Sequence, residues 1–373
     1  MKTGLISPAC KQPQLFSNSP ECGGASAHAS KTPAASGDPW LSILIPVFNV
    51  AGYLQECLDS IASQLEPGIE IVALDDASTD DGAAILAQNM RSPGSVVRVV
   101  SLTRNEGLAA ARNRLVKEAR GDYCWFVDAD DLMCSGAIRS LRGVIEADSP
   151  DLVMCDFRVL RQRIRLKHRL RGELHRRSFD GPSRTLSTDR EVLIGGILNS
   201  GQLHSWSKIA RRSIWSTVRF PEGRYFEDIA VFPQLTAAVC SHVHVPEPWI
   251  AYRQREGSIL SEITPEKIRD QLRALRDMGG ALDPAQTDPT GYVGFAQQNF
   301  LLRRLASLMR GLAKDSTVEG AALRTEVNEN LCALFPGGID GILDAYRRRG
   351  WILRAWRARQ SLQEFGLQTC AHP

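Results

Sequence analysis

The sequence predicts an α/β fold: a mostly parallel sheet with helices on both faces, followed by a helical C-terminal region. Three observations carry this. From residue 40 to about 157, apolar β-rich runs alternate with stretches of helical periodicity, the pattern of βαβ units. Polar residues gather where those runs end. After Pro265 the apolar spacing is helical.

The first strand is Leu41-Ser-Ile-Leu-Ile-Pro-Val-Phe48, apolar enough to be buried on both faces. Leu54, Leu58, Ile61 and Leu65 follow at helical spacing. Ile69-Glu-Ile-Val-Ala-Leu74 is the second strand and ends in Asp75-Asp76. Gly82 to Met90 is a short helix, and Val96-Val-Arg-Val-Val-Ser-Leu102 is the third strand. Leu108, Ala111, Leu115 and Ala119 mark the next helical face. Asp122-Tyr-Cys-Trp-Phe-Val127 is the fourth strand and runs into Asp128-Ala-Asp-Asp131. Ile138, Leu141 and Val144 mark a further helix, and Leu152 to Phe157 a further strand. Amphipathic stretches then lie near Ile268 to Met278, Phe295 to Leu312 and Ile342 to Leu362, with Pro336-Gly-Gly338 breaking the last two. Residues 1–39 are rich in Ser, Ala, Pro and Gly and are expected to be a disordered tail. The expected organisation is therefore a tail (1–39), an α/β domain (40–260) and a helical region (261–373).

Composition narrows the function. With 43% hydrophobic and 23% charged residues, the chain can bury a core, so global disorder is excluded. No apolar run approaches the ~20 residues that span a bilayer. Lys2 is followed by no apolar stretch before Lys11, so no secretory leader is expected. The expected location is cytoplasmic, with at most peripheral attachment at the inner face of a membrane. A net charge of +3 does not argue for nucleic acid. Nine cysteines with no Cys-x-x-Cys pair speak against a disulfide framework or a zinc cage; Cys57, Cys124, Cys155 and Cys240 read as core. A P-loop and a dinucleotide fingerprint after the first strand are both absent.

The candidate chemistry sits at the strand ends, where open α/β sheets bind ligands. Asp128 and Asp130 follow the fourth strand, and their hard oxygens suit Mg²⁺ or Mn²⁺ completed by phosphates and water. The plainer account is an exposed acidic turn. Asp76 can accept a hydrogen bond from a base or ribose, while Asp80 is assigned to capping the next helix. Arg112, on the helix after Arg104-Asn-Glu-Gly107, can face a diphosphate or be merely solvated. Far downstream, Glu227-Asp228 precedes an apolar helix; it reads as a first-turn charge or as a base for an acceptor hydroxyl. Ser205-Trp-Ser-Lys208, Trp249-Ile-Ala-Tyr-Arg253 and Gly257-Ser-Ile259 are candidate pocket walls, although such aromatics are commonly core. His242 and His244 share a strand face, but no third metal ligand accompanies them.

Together these residues resemble the family 2 glycosyltransferases with the A-type, Rossmann-like nucleotide-sugar fold. The resemblance rests on Ile43-Leu-Ile-Pro-Val-Phe-Asn49, Leu74-Asp-Asp-Ala-Ser-Thr-Asp80, Asn105-Glu-Gly-Leu-Ala-Ala-Ala-Arg-Asn113 and Phe126-Val-Asp-Ala-Asp-Asp131, in order and spacing. Trp206-x-Lys208, Phe220-Pro-Glu-Gly223, Glu227-Asp228 and Tyr252-Arg253 also look like that family. It implies a nucleotide-binding part (40–135) and an acceptor part (136–260). It implies that Pro46 and Phe48 line the nucleotide pocket, that Asp76 holds base or ribose, and that Arg112 lies near the diphosphate. Asp128 would sit by the sugar or ribose, Asp130 would hold a divalent cation, Mn²⁺ or Mg²⁺, and Asp228 would be the catalytic base with Glu227 beside it. The implied reaction is inverting transfer from a nucleoside diphosphate sugar, a uridine diphosphate sugar first, to a hydroxyl acceptor in polysaccharide or glycoconjugate synthesis.

Two other functions compete with this one. Trp125-Phe-Val-Asp-Ala-Asp130 also looks like the first motif of haloacid-dehalogenase-type phosphatases, which place it on the first strand, not the fourth. A non-catalytic nucleotide-sugar binder would not need Glu227-Asp228. Two basic segments stand apart. Between Arg158 and Arg177, basic residues alternate with neutral ones, as on one face of an extended strand. This is either a solvated edge or a dock for an anionic glycan, a lipid-linked phosphate or an anionic leaflet. Arg347 to Arg359, with Trp351 and Trp356, has the composition of an interfacial helix or of a packed helix with an Arg-rich outer face.

Overall fold

The computed structural model describes residues 38–364, apart from 93, 162–163, 165, 171, 255–263, 281–287, 313–316 and 336–337. The expected tail (save residues 38 and 39), Gly257-Ser-Ile259 and the expected domain boundary at 260 lie outside the described residues.

β1 (Leu41–Val47) is central because it is apolar on both faces; all its residues but Pro46 are buried. β2 (Ile69–Asp75) and β4 (Tyr123–Phe126) flank it in parallel, with Leu41 opposite Ile69 on one side and Tyr123 on the other. β3 (Val97–Ser101) extends the sheet beyond β2. β5 (Leu132–Met133), β6 (Leu152–Leu160), β7 (Lys208–Arg211) and β8 (His242–Arg253) complete the order β3-β2-β1-β4-β7-β6-β8-β5. Only β7 and β5 run antiparallel to their neighbours, so the sheet is mostly parallel, as the sequence predicts.

The helices are α1 (Ala51–Ala62), α2 (Gly82–Arg91), α3 (Leu108–Glu118), α4 (Ala137–Asp148), α5 (Leu166–Leu170), α6 (Arg190–Ser200), α7 (Arg212–Thr217) and α8 (Glu227–Ala238). After the sheet come α9 (Pro265–Gly280), α10 (Tyr292–Leu312), α11 (Val318–Leu334), α12 (Asp340–Arg348) and α13 (Ile352–Glu364). Alternate strand residues enter opposite layers. Ile43, Ile45 and Trp125 pack with Leu54 and Leu58 of α1 and Ile138 and Leu141 of α4. Leu44, Leu74 and Phe126 belong to a layer with Leu115 of α3, Ile197 of α6 and Phe232 of α8. That second layer continues without a break into Leu275, Phe300, Leu331 and Leu343, so the C-terminal helices share a core with the sheet.

The winding reverses at one place. The chain runs outward from β1 through β2 to β3, then crosses to β4 on the other side of β1. Such a switch point opens a crevice beyond the strands' carboxyl ends. Here those ends are Pro46 to Phe48 and Val127 to Asp131.

Three expectations are corrected. The basic segment is not one extended face: Leu166–Leu170 is helical, and the chain turns back so that Arg176 pairs with Phe157. Its Leu-Lys-His-Arg-Leu run contains good helix formers, and Glu173 recruits Arg161 across the turn, which a charge count cannot foresee. Arg163, Arg165 and Arg171 lie outside the described residues. The stretch from Ile342 to Leu362 is two helices, broken where Gly350 takes φ 72°. Cys240 is exposed at the turn before β8, whereas Cys57, Cys124 and Cys155 are buried as expected.

One close approach fixes the sheet's other end. The Ser42 hydroxyl donates to Glu70 Oε1 at 2.6 Å and accepts from the Gly121 N–H at 2.8 Å. A Cβ on Gly121 would lie 2.5 Å from the Ser42 nitrogen. Gly121→Ala should therefore destabilise the protein by about 1–3 kcal/mol, the usual range for overpacking. Urea unfolding measures it, with a lower midpoint as the expected outcome.

Candidate functional site

The site grows from how α3 is seated. Asp76, just past β2, is buried and accepts two backbone N–H bonds, Glu106 to Oδ1 at 2.7 Å and Gly107 to Oδ2 at 2.9 Å. Gly107 enters α3 at φ 87°, a conformation that glycine adopts without strain. Burial raises the Asp76 carboxyl above its usual range, against those two bonds. Asp75 holds the Ser78 N–H. Asp80 accepts the N–H of Gly82 and that of Ala51, tying the starts of α2 and α1 together.

Arg112 follows on the buried face of α3 and is 1% exposed. Its guanidinium lies between Phe126 and Phe220, 5.7 and 5.6 Å from their ring centres. Nη1 donates to Glu227 Oε1 at 2.7 Å and Asp228 Oδ1 at 3.0 Å, and Nη2 to Asp128 Oδ1 at 3.2 Å. One cation thus meets three carboxylates. Burial works against its charge, but the three carboxylates outweigh that and keep the guanidinium protonated. The family resemblance implies that Arg112 lies near a diphosphate; the guanidinium turns inward against three carboxylates.

Glu227 and Asp228 form the first turn of α8, where negative charge complements the helix dipole. Asp228 Oδ1 also accepts from the Ser205 hydroxyl, while its Oδ2 takes no hydrogen bond among the described residues. Burial and the neighbouring Asp228 push the Glu227 carboxyl up to about 7, against Arg112. Burial likewise lifts Asp128 to about 6, opposed by Arg112 and aided by Asp130 and Asp228.

Asp128, Asp130 and Asp131 follow β4. Asp128 and Asp130 are partly exposed, and Asp131 is fully buried. Arg253, at the end of β8, pins this turn: its backbone N–H donates to Asp131 Oδ1 at 2.7 Å and its Nε to the Asp130 carbonyl at 2.8 Å. Asp131 Oδ2 is buried with no partner among the described residues. Among those residues no three His, Cys, Asp or Glu side chains converge into a cage. This donor set fits a hard cation that takes most of its ligands from phosphates and water.

Phe48 is 44% exposed just past β1, leaving a ring face open for stacking, and Pro46 is partly exposed beside it. Backbone strain gathers here: Asn49, Ala77 and Phe226 take φ values of 50°, 57° and 62°, next to Phe48, Asp76 and Glu227. Such conformations cost about 1–3 kcal/mol each and cluster at functional sites. Trp206 and Trp249 are core, and His204, Trp206 and Tyr252 form a stack, with His204 and Trp206 4.7 Å apart. Burial brings His204 down to about 4 and Lys208 to about 8. The Lys208 ammonium donates to the carbonyls of Gln202 and His204 and to the Ser207 hydroxyl.

The structure therefore brings Asp128, Arg112, Glu227 and Asp228 into one hydrogen-bonded group, with Asp130 two residues away in chain. Pro46, Phe48 and Asp76 stand at the neighbouring strand ends. Ser205 lies in an expected pocket wall, but no local pattern marks it as a partner of Asp228. Arg112 did carry a signal: with Leu108, Ala111 and Leu115 it falls at helical spacing on the apolar face.

Residues 42–198 match the model of Glycosyl transferase family 2. The chain is 26% identical over 258 residues to glycosyltransferase GlyA of Streptococcus pneumoniae and spans only 36% of that protein's length. It is 26% identical over 236 residues to glycosyltransferase GlyG of the same organism, covering 59% of this chain and 72% of GlyG. Its structure resembles S. aureus TarS residues 1–349, with a TM-score of 0.66 at 20% identity over 87% of this chain and 91% of that one, which shows a shared fold.

Replacing Arg112 tests the group. Arg112→Met leaves three carboxylates without their cation and should cost about 3–5 kcal/mol. The loss should depend on pH. Burial holds the Glu227 proton up to about 7, above its usual 4.5, and Arg112 opposes that shift, so the Arg112–Glu227 ion pair is complete only above about 7 and its contribution is lost as pH falls and the carboxyl protonates. Thermal melts should show Arg112→Met nearer to wild type in mild acid than in mild alkali. A pH-independent gap would contradict the arrangement.

Proposed function

We propose that the chain, whose residues 42–198 match the model of Glycosyl transferase family 2, moves a sugar from a nucleoside diphosphate sugar to a hydroxyl acceptor with inversion, in polysaccharide or glycoconjugate synthesis. The supporting observation is Asp228, held at one oxygen by Arg112 and Ser205 and without a hydrogen bond at the other among the described residues. Its Oδ2 takes the proton of the acceptor hydroxyl as that oxygen attacks the anomeric carbon. The bond from that carbon to the diphosphate oxygen breaks, and the nucleoside diphosphate leaves with the electron pair. Attack opposite to departure inverts the centre. General-base help of this kind contributes roughly 10²–10⁴-fold.

Phe48 and Pro46 line the nucleotide pocket at the end of β1. Asp76 holds base or ribose from the neighbouring strand end, and Asp128 faces the sugar or ribose. Arg112 acts as a positioning residue that sets Asp128 and Asp228 rather than as an open diphosphate ligand. Asp130 would hold the divalent cation, Mn²⁺ or Mg²⁺, which when bound supplies Lewis-acid neutralisation of the leaving diphosphate. We put a uridine diphosphate sugar first as donor; the structurally similar TarS was crystallised with UDP-GlcNAc. We place the protein in the cytoplasm with peripheral contact at the inner membrane face. The support is α13, which exposes Ile352, Leu353 and Trp356 in an Arg-rich stretch. No described helix is long and apolar enough to cross a membrane.

Asp228→Asn should lower transfer by about 10²–10⁴-fold while nucleotide binding persists. Asp130→Ala should weaken nucleotide binding only when Mn²⁺ is supplied. Calorimetric titration with uridine diphosphate, with and without Mn²⁺, beside a transfer assay, separates the two. Unchanged transfer in Asp228→Asn would refute the assignment of the base.

A further inference from the structure

Behind the loop that carries Ser205 lies a groove of about 360 Å³ between the 172–180 turn and the C-terminal end of α6. Arg176 and Arg177 line it from the turn, and Arg303 from α10; His175, Asn199 and Gln202 are also in its wall. The acidic lining residue is Asp180, 3.9 Å from Arg177. Among the described residues neither Arg176 nor Arg303 forms an ion pair with a carboxylate. Among the lining side chains three guanidinium groups stand against one carboxylate; Glu173, paired with Arg161, and Asp156, bonded to His175, lie behind the lining.

The turn is held firmly. Asp156 is fully buried and accepts from the Ser178 N–H at 2.9 Å, while its two oxygens also meet His244 at 2.8 Å and His175 at 2.7 Å. Ser200 donates to the Ser178 carbonyl at 2.7 Å, locking the turn onto α6. The groove is also close to the candidate base. Gln202 and Ser205 are three residues apart, so their Cα atoms lie within about 11 Å. Lys208 ties that short loop through the carbonyls of Gln202 and His204.

A plainer account exists for part of this. Arg303 donates weakly to the Asn199 carbonyl at 3.5 Å, as a basic residue near a helix C-terminus does. That does not account for Arg176 and Arg177 on the opposite wall. We propose that this groove is an anion subsite for the acceptor, taking phosphate or carboxylate groups of the acceptor chain while its hydroxyl lies at Asp228. The inference rests on the transferase reading above and names its acceptor class: an anionic glycan or polyol phosphate rather than a neutral sugar. Arg suits this because its guanidinium is always charged and offers N–H donors to either group.

The test measures binding of sodium hexametaphosphate, a galacturonate hexamer and neutral maltohexaose to the full chain by calorimetry, across salt concentration. Phosphatidylglycerol vesicles form a separate arm. The expected result is salt-sensitive binding of anionic probes and none of maltohexaose. Arg177→Glu with Arg303→Glu should weaken it at least about tenfold, and Arg177→Lys with Arg303→Lys should retain most of it. Vesicle binding lost in the Glu variant, with no binding of soluble oligomers, would assign the anion to a lipid headgroup. Equal binding of the neutral probe, an unaffected Glu variant, or a Lys variant as weak as the Glu variant would overturn the subsite. Acceptor-free hydrolysis of donor sugar by the wild-type protein is followed in parallel. Its absence would count against the transferase reading, independently of anion binding.

Discussion

A buried guanidinium with three carboxylates around it is the constraint on which the site depends. Arg112 comes from α3, Asp128 from the end of β4, and Glu227 and Asp228 from the start of α8, more than a hundred residues later. Taking such charges out of water costs several kcal/mol per ion, and the pairing offsets this only when geometry and hydrogen bonding are good. The two flanking phenylalanine rings and the Ser205 hydroxyl help to meet that requirement. The consequence is mechanical as well as electrostatic. A single side chain fixes the distance between the strand-end acids and the acid on α8, and so the place where donor and acceptor would meet.

The group is left with more negative charge than one arginine can balance. Glu227 and Asp128 answer by holding protons at higher pH than free carboxyls do. A cation near Asp130 would relieve the same imbalance. The Asp131 oxygen buried with no partner among the described residues, and the pinned turn beyond β4, show a site rich in hard donors and poor in protein ligands. That is the chemistry expected where phosphate oxygens complete the shell. Elsewhere the sign reverses, with Arg176, Arg177 and Arg303 lining the groove between the 172–180 turn and the end of α6.

Much of the sheet was legible because both of its faces are covered. β1, β2 and β4 read as continuous apolar runs, and the acids at their ends stood out against that background. The inward turn of Arg112 was half visible in its helical spacing, but its partners on α8 are set only by the fold. Ser205 stands in an expected pocket wall, but its bond to Asp228 carried no local signal. The basic segment misled because alternation of charge is cheap on a surface. Without a partner strand the period does not hold the chain extended, and Glu173 and a short helix reorganised it. α11 was missed; its buried residues Leu323, Val327 and Leu331 form a thin stripe in a polar stretch.

The most direct measurement is a crystal structure with uridine diphosphate and Mn²⁺, using the manganese anomalous signal to locate the ion. The account predicts a peak beside the Asp130 carboxylate, nucleotide over the ends of β1 and β2, and Arg112 still bound to Asp128, Glu227 and Asp228. A peak elsewhere, or an Arg112 that leaves its carboxylates to grip the diphosphate, would contradict it.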